Sequence, residues 1–399
     1  MSDAVVKSRA VFFVGGYDPK APDAFFKRLE RENARSASLW SAQSCFGPIR
    51  ETADGSAASV LIETEGPGWT CRTDFTFLVL DQIVLADFAR PLPLRLWRYV
   101  LAFAGFVFSG TAFRIFRHAW RFGLYFLFPM VCMLVFAASG ALGGWLAVRG
   151  GAPVWLGALL GAILFFALQR VIGARWPVNH LMDLWSFSHE FICGKRPSAE
   201  ALMQRFAEEI TATLRQTRYD EAILVGHSTG GLLILDIAAR CRALDPEFAE
   251  RAGAVSLLTL GSTALKGGLH PWAKPFRAAV ARLAADERLG WAEIQCMTDI
   301  INFHRTNPAA LMGVAPRETF PLVRDIQVKR MLEPAQYRRI RRNFFRVHYQ
   351  YVSGNTRRYF FDFFLVCCGP APLLERMRGK GEGPFAGKAG TPTGSEHAA

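Results

Sequence analysis

Residues 222–241, AILVGHSTGGLLILDIAARC, are the part of the sequence whose residue types and order point most directly to chemistry. An apolar run typical of a buried strand leads into GHSTG, and an amphipathic run typical of a helix follows at once. On so sharp a turn Ser228 would hold its hydroxyl clear of the backbone, beside the positive potential of a helix N-terminus. Gly226 and Gly230 would let the strand and the helix approach without Cβ clashes. The pattern predicts a nucleophilic serine, and the alternative is an ordinary turn in which the serine caps the helix.

This strand, turn and helix resemble the nucleophile elbow of α/β-hydrolase-fold serine hydrolases of the lipase and esterase type. The resemblance covers residues 8–85 and 198–366, whereas the hydrophobic stretch between them departs from the usual soluble pattern. It implies an α/β fold with a mostly parallel sheet flanked by helices. It also implies a catalytic triad in the chain order serine, acid, histidine.

The resemblance further implies an oxyanion hole made of two backbone N–H groups. One belongs to Thr229, which directly follows the serine. The other belongs to the turn after the first strand, where FVGGYDP places Gly16 and Tyr17. This turn lacks the His-Gly start that is familiar in the family, so the second donor stays open between the two residues. His227, inside the elbow, is expected to point away from the serine hydroxyl and to be structural.

Three aspartates downstream of Ser228 compete for the position of the acid. Asp299 ends the segment WAEIQCMTD, directly after a predicted strand, which is where the chain order of the family places the acid. Asp325 falls inside the next predicted strand, PLVRDIQV, and Asp286 lies in a charged segment with a helical pattern. The resemblance therefore favours Asp299.

Two histidines, His304 and His348, follow Asp299 ahead of the C-terminal tail. His304 precedes the last predicted strand, which is too early for the base of such a triad. His348 follows that strand, in FFRVHYQYVSG, after a segment with a helical pattern. The resemblance favours His348, and the alternative is a histidine at a helix end that interacts with the helix dipole.

These residues imply a reaction through an acyl-enzyme. His348 would take the proton of Ser228 as the serine attacks an acyl carbonyl, and Asp299 would fix the imidazole tautomer. We expect a membrane-anchored serine hydrolase that cleaves acyl esters, with lipids or other hydrophobic esters as substrates. The alternatives are an acyltransferase or thioesterase that uses the same serine, and a catalytically silent hydrolase-fold scaffold in the membrane.

The middle of the chain has the composition of a membrane protein. Residues 124–148 carry no charge, and a second uncharged run covers 150–169. Because about 20 apolar helical residues cross a hydrocarbon core of roughly 30 Å, we expect spans at about 124–148 and 152–172 rather than a pair of buried core helices. The uncharged run 99–113 is shorter, and we expect it to lie at the membrane interface or to re-enter.

Small residues in the two long runs predict that they pair as a hairpin. Each run contains one GxxxG, at Gly140/Gly144 and at Gly157/Gly161, a spacing that lets helices pack closely in lipid. Arginines flank both runs on their outer sides, whereas only Arg149 lies in the turn, so the positive-inside rule places both termini and the catalytic domain in the cytoplasm. We expect a multi-pass protein of the bacterial inner membrane. The two spans lack ionisable residues, which disfavours a transporter or channel.

Composition limits the remaining classes. With 399 residues, 51% of them hydrophobic, the chain is not intrinsically disordered, and its net charge of +13 favours an anionic partner. Basic residues concentrate at 90–121 and 329–346, where a solvated face and contact with anionic lipid headgroups are both open. No nucleic-acid recognition module is present, so no nucleic acid is expected as a partner.

Neither a cofactor nor a metal is expected. The sequence has no GxGxxG, no phosphate-binding GxxxxGK[ST], no HExxH and no CxxC pair. Its eight scattered cysteines are typical of a reduced, cytosolic environment, and we expect no signal peptide at the start of the chain.

Alternation of strand and helix patterns predicts a parallel sheet. The predicted strands are 9–17, 58–64, 73–80, 222–226, 254–261, 291–298 and 321–328. We divide the chain into a first part of the α/β-hydrolase domain, a membrane-associated helical insertion, a second part of that domain and a disordered tail. These parts are 8–89, 90–190, 191–368 and 379–399.

The position of the insertion adds one expectation. In parallel sheets the loops that leave the carboxyl ends of the strands form the rim of the active site. If 73–80 runs parallel to the elbow strand, the insertion leaves from that rim. The hairpin would then tether the catalytic face towards the bilayer, and a hydrophobic ester would enter from the membrane.

Overall fold

The computed structural model describes residues 5–315, 317–379, 381 and 383–385. From residue 386 onwards, the tail predicted to be disordered lies outside the described residues. The chain divides into two compact units. The described residues within 1–82, 201–265 and 275–399 form the sheet unit, and those within 83–200 and 266–274 form the helical unit.

The sheet unit is built on nine strands. They are β1 (Ser8–Val14), β2 (Gln43–Phe46), β3 (Arg50–Glu51), β4 (Ala57–Gly66), β5 (Trp69–Leu78), β6 (Glu221–His227), β7 (Val255–Leu260), β8 (Leu289–Cys296) and β9 (Leu322–Ile326). Their order in the sheet is β2-β4-β5-β1-β6-β7-β8-β9, and β3 pairs with β4 at one side. The six strands from β5 to β9 along this order run parallel, whereas β2, β3 and β4 are joined by antiparallel pairs. The predicted α/β class and mostly parallel sheet are confirmed.

Seventeen α-helices lie among the described residues. They are α1 (Pro22–Leu39), α2 (Asp81–Phe88), α3 (Leu92–Phe108), α4 (Thr111–His118), α5 (Trp120–Arg149), α6 (Val154–Arg175), α7 (Val178–Ile192), α8 (Pro197–Gln216), α9 (Gly230–Leu244), α10 (Ala264–Gly268), α11 (Lys274–Ala285), α12 (Pro308–Leu311), α13 (Val328–Met331), α14 (Pro334–Ile340), α15 (Phe344–His348), α16 (Phe363–Cys368) and α17 (Leu373–Arg378). Two 3-10 turns cover Phe248–Glu250 and Tyr349–Val352.

The central strands are buried along their whole length. Every residue of β6, β7 and β8 is buried, as expected for parallel strands that are covered on both faces. This explains why AILVG and SLLTL read as continuous apolar runs rather than as alternating ones. β2 and β3 were not predicted, because QSCF is short and partly exposed, RE is short and exposed, and neither contains an apolar run.

A buried ion pair joins the starts of β1 and β6. The Arg9 side chain is fully buried and donates to a carboxylate oxygen of Glu221 over 2.8 Å. The same guanidinium donates to the carbonyls of Gly369 and Ala371, at 2.7 and 2.9 Å. The pair therefore fixes the register of the two central strands and ties the C-terminal segment to them.

The helical unit contains two helices long and apolar enough to cross a membrane, α5 with 30 residues and α6 with 22. A third span is counted if α3 and α4, which are bent by 67° at a short break, form one broken span. The outward sides of α5 and α6 expose large apolar residues such as Leu134, Trp145 and Ile163, each more than half exposed. A large exposed apolar surface is unfavourable in water and favourable in lipid. The surface of the helical unit therefore supports association of the protein with a membrane. The orientation of the termini stays a prediction.

The predicted GxxxG contact forms between α5 and α6. A Cβ atom built on Gly140 would lie 2.6 Å from the carbonyl oxygen of Gly161. One built on Gly144 would lie 2.5 Å from the carbonyl oxygen of Gly157. The two helix backbones therefore touch at these four glycines, and no larger residue fits without moving the helices apart.

We expect Gly144→Ala to destabilise the hairpin, because the new methyl group would press on the Gly157 carbonyl, which is fixed backbone. The overpacking is worth about 1–3 kcal/mol and should lower the melting temperature of the protein in detergent, measured by intrinsic fluorescence. Gly143→Ala is the matched control, because a Cβ there meets only the end of the flexible Leu164 side chain. Equal melting temperatures for the two variants would contradict the packing.

Candidate active site

Ser228 lies between β6 and α9 in a strained backbone conformation. Its φ angle is +60°, in the left-handed region that side chains other than glycine rarely adopt. Its N–H donates to the Leu260 carbonyl at the end of β7, over 3.0 Å. Its carbonyl accepts from the N–H groups of Gly231 and Thr263, at 3.0 and 3.1 Å. The hydrogen bonds of the surrounding backbone hold the strained turn in place.

The two glycines of GHSTG are required by close backbone contacts. A Cβ on Gly226 would overlap the carbonyl oxygen of Gly230, and one on Gly230 would overlap the carbonyl oxygen of Val14 in β1. β6 can thus turn directly into α9, and α9 can lie against β1.

The turn after β1 passes beside the serine. A Cβ built on Gly16 would lie 3.3 Å from the Ser228 Cβ and 3.5 Å from its Oγ. Thr229 is the N-cap residue of α9, and Tyr17 is buried. The structure therefore brings Gly16 to the serine and places Thr229 at the helix start, while their roles as oxyanion donors stay a prediction.

His348 and Asp299 form a buried pair. The Nδ1 atom of His348, at the end of α15, lies 2.7 Å from Oδ2 of Asp299, in the turn after β8. The other carboxylate oxygen, Oδ1, accepts from the Ile301 N–H over 2.8 Å. Because a carboxylate only accepts, Nδ1 carries the proton and Nε2 of a neutral ring is free of one. This Nε2 atom is buried and has no hydrogen-bond partner among the described residues.

The pair and the serine lie at one end of the sheet, where the carboxyl ends of β6, β7 and β8 meet. Gly261 directly follows Leu260, the residue that binds the Ser228 N–H. A Cβ on Gly261 would lie 3.1 Å from Cε1 of His348. The His348 ring therefore packs over the strand end to which the serine backbone is bonded.

His227 supports the backbone of His348. Its Nε2 lies 3.0 Å from the His348 carbonyl oxygen, and the two rings are 4.7 Å apart. Since a carbonyl only accepts, Nε2 of His227 is the protonated nitrogen. Burial, and then the positive charge that His348 would carry, hold the pKa of His227 well below its usual value. His227 is therefore a neutral donor that positions the other histidine.

The competing residues lie elsewhere. His304 and Asp325 lie 3.2 Å apart, with the Asp325 carboxylate more than half exposed on β9. Asp286 is paired with Arg242 and Arg288. The structure thus forms a second histidine–aspartate pair, whose histidine is partly buried and whose aspartate is exposed.

A narrow cavity of about 40 Å³ adjoins the turn after β1. Gly15, Gly16 and His227 line it, and several large apolar residues form its wall. These are Phe13, Leu29, Phe25, Phe77, Leu78, Leu80, Val352 and Phe363.

Polar groups line the same cavity. Lys20 and Arg28 lie over the ring of Tyr349, at 4.4 and 4.8 Å from its centre. The Tyr349 hydroxyl accepts a hydrogen bond from Nζ of Lys20 over 2.9 Å and donates one to Oδ2 of Asp18 over 2.8 Å. Burial lowers the pKa of Lys20. This group was not predicted from the sequence, because Asp18, Lys20 and Arg28 lie more than 300 residues before Tyr349 in the chain and meet it only in the fold.

Comparison with known proteins adds no assignment: no family model, curated protein or solved structure matches the chain.

The strain at residue 228 gives a test that does not depend on activity. We expect Ser228→Gly to be more stable than Ser228→Ala by about 1 kcal/mol, because glycine adopts a left-handed backbone without a steric cost. Thermal melting in detergent measures the difference. At Ser256, an extended residue of β7, the order should reverse, with alanine the more stable. An alanine variant at 228 as stable as the glycine variant would contradict the strained turn.

Proposed function

We propose that the protein is a membrane-anchored serine hydrolase that cleaves acyl esters and has a fold of the α/β-hydrolase type. One observation carries the proposal. A buried histidine, held by an aspartate and with one unpartnered nitrogen among the described residues, lies at the sheet end where a serine occupies a strained strand-to-helix turn. Nucleophilic serines are activated by this combination of groups.

The mechanism follows from the pairings. Nε2 of His348 accepts the Ser228 proton as Oγ attacks the ester carbonyl, and Asp299 stabilises the imidazolium that forms. His348 then returns the proton to the departing alcohol, which leaves an acyl group on the serine. A water molecule gives a proton to His348 and attacks the acyl-enzyme. His348 then returns this proton to Oγ of Ser228 as the carboxylic acid leaves, which restores the serine hydroxyl.

The negative charge of the tetrahedral intermediate needs donors beside the serine. The Thr229 N–H at the start of α9, and an N–H of the Gly16–Tyr17 turn, are the proposed donors. The close approach of Gly16 to the Ser228 side chain supports this assignment, because a donor must lie within about 3 Å of the oxyanion. One such donor is worth about 3 kcal/mol in the transition state.

The cavity favours a hydrophobic substrate. Its wall is mostly aromatic and aliphatic, and a volume of about 40 Å³ is room for about three water molecules. It therefore suits a short apolar segment, such as the carbons nearest an ester carbonyl. An acyltransferase or thioesterase would use the same Ser228 and differ in the acceptor or the leaving group.

A basic segment supports contact with an anionic bilayer. Five arginines between 338 and 346 have exposed side chains without an ion pair to a described residue, and Phe344 and Phe345 beside them are also exposed. They are Arg338, Arg339, Arg341, Arg342 and Arg346. Exposed basic and aromatic residues together favour the surface of anionic lipid, and two apolar helices of the same chain are suited to a membrane. We therefore propose anionic lipid as a partner and the cytoplasmic face as the location of the sheet unit.

The chain connection between the sheet unit and the helical unit bears on how the substrate enters the site. β5 is parallel to β1, and β1 is parallel to the elbow strand β6, as the expectation for the insertion required. β5 ends at Leu78, and the helical unit begins at Ile83. The chain thus passes from the carboxyl end of a parallel strand into the helical unit within a few residues, and that unit contains both apolar helices, which supports entry of the ester from the bilayer.

The catalytic assignment predicts how the protein reacts with a fluorophosphonate probe. In membranes, Ser228→Ala should lose labelling entirely, because it lacks the nucleophile. Labelling by His348→Gln and Asp299→Asn should slow by at least about 100-fold, as expected for loss of general-base assistance. The measurement is the rate of labelling, followed by in-gel fluorescence.

Matched variants control for indirect effects. Ser41 also has a left-handed backbone, with φ of +52°, but lies at the end of α1, so Ser41→Ala should label normally. His304→Gln and Asp325→Asn remove the second histidine–aspartate pair and should also label normally. Equal labelling of wild type and Ser228→Ala would overturn the assignment. A folded wild type that never reacts would favour the silent scaffold.

The lipid contact predicts a charge dependence. In nanodiscs, anionic lipid should raise wild-type hydrolysis of a lipid ester, and an Arg338→Gln/Arg341→Gln/Arg342→Gln variant should lose most of that rise. Each arginine near an anionic surface is worth about 1 kcal/mol. Hydrolysis of a soluble ester in detergent should be unchanged in this variant.

The control replaces three exposed basic residues outside the segment, at Arg50, Arg72 and Arg218, with glutamine. If both triple variants lose the lipid response equally, overall charge rather than the segment is responsible, and the proposed contact is wrong.

A further inference from the structure

Three residues with metal-binding side chains meet in the helical unit, which the proposed mechanism does not use. They are His189, Cys193 and His270, and one ligating atom of each lies within 4.8 Å of those of the other two. His189 and His270 are buried, and Cys193 is half-buried. None of the motifs in the sequence pointed to this cluster, because His270 is 77 positions beyond Cys193 in the chain.

Local structure places the first two residues together. His189 lies in the last turn of α7, and Cys193 is the C-cap residue of that helix. Residues four apart on a helix face the same side, so the imidazole and the thiol project in one direction. His270 approaches them from the segment 266–274, which also belongs to the helical unit.

The His189 ring has an unsatisfied polar atom. Its Nε2 is buried and has no hydrogen-bond partner among the described residues. The ring lies against Gly105 in α3, where a Cβ would overlap Nε2. Buried nitrogens without a partner are uncommon in folded proteins and call for an explanation such as an ion.

The donor set is that of a borderline transition metal. Two imidazoles and one thiolate suit Zn²⁺, whereas Mg²⁺ and Ca²⁺ need oxygen ligands. Phe106 packs beside both histidine rings, at 5.8 and 5.7 Å, and Trp272 lies 5.5 Å from the ring of His270. These aromatic residues shield the cluster from water.

We propose that His189, Cys193 and His270 form a zinc-type metal site. Ligand atoms around a tetrahedral Zn²⁺ are roughly 3.5 Å apart, so small side-chain rotations bring the three atoms from within 4.8 Å to bonding positions. Metal binding replaces the long 3.3 Å hydrogen bond from the Trp272 N–H to Nδ1 of His270. Either Nδ1 itself binds the metal, or Nε2 binds it and Nδ1 carries the ring proton, and in both cases Nδ1 no longer accepts a hydrogen bond. A water molecule fills the fourth position.

The metal would act as a clamp. It joins the end of α7 to the segment 266–274, which the chain contributes to the helical unit after passing through β6 and β7. Such a link fixes two distant parts of the chain and stabilises the folded unit by the free energy of metal binding.

The test uses the full-length protein in detergent, with an affinity tag that contains no histidine. After removal of metal with a chelator, titration with Co²⁺ should give a thiolate charge-transfer band that saturates near one equivalent. Zn²⁺ should then displace the Co²⁺ and abolish the band. Zn²⁺ should also raise the melting temperature of the metal-free protein.

Variants decide whether the band belongs to this cluster. Cys193→Ser should remove the band, and His189→Gln should weaken Co²⁺ binding by at least 10-fold. Cys45→Ser is the matched control, because Cys45 is an exposed cysteine on β2, and it should bind as the wild type does. The proposal is overturned if excess Co²⁺ gives no band in the folded wild type, or if the band survives Cys193→Ser. Reaction with the fluorophosphonate probe is a separate readout, so failure of one proposal leaves the other standing.

Discussion

The left-handed backbone of Ser228 is the constraint around which the end of the sheet is organised. It costs about 1–2 kcal/mol relative to ordinary backbone, and the carbonyl of Leu260 and two N–H groups hold it. The turn requires glycine at 226 and 230, because β6, α9 and β1 come into direct backbone contact there. The close backbone contact between α9 and β1 also brings the turn after β1 beside the Ser228 side chain. One strained residue thus determines where three elements meet.

The opposite end of the sheet provides the rigidity that this strain needs. The Arg9–Glu221 pair is buried, and the Arg9 guanidinium donates hydrogen bonds to two further carbonyls. Neither charge is therefore left without a partner. Breaking such a pair by removing one member costs about 3–5 kcal/mol. β1 and β6 are therefore locked in register at their starts. Because the two strands pair along nearly their whole length, the same register holds at their carboxyl ends, where Gly16 and Ser228 lie side by side.

What the sequence predicted, and what it missed, follows from how local each signal is. The elbow and the membrane helices are encoded in contiguous residues, so the strand-to-helix turn and the hairpin with its GxxxG contact could be predicted directly. The Asp299–His348 pair spans 49 positions, and the sequence also contained Asp325 and His304 as competitors for the acid and the base. Only the chain order implied by the family resemblance separated the two pairs.

Groups of residues that lie far apart in the chain could not be predicted from the sequence. The polar group around Tyr349 and the cluster of His189, Cys193 and His270 each combine segments far apart in the chain, and no motif marks them. The short edge strands β2 and β3 were missed for a different reason. They bury too little apolar surface to leave a pattern in the sequence.

The stability of the site bears on the choice between an enzyme and a silent scaffold. The sheet unit keeps a serine where glycine would relieve the strain, and it buries an imidazole nitrogen without a hydrogen-bond partner among the described residues. A buried unsatisfied polar atom costs about 1–3 kcal/mol, in addition to the strain. Replacing Ser228 by glycine would recover the strain energy without disturbing the core. A serine nucleophile needs the sharp turn, and its base needs the free nitrogen, so this local instability supports the proposed hydrolase over a silent scaffold.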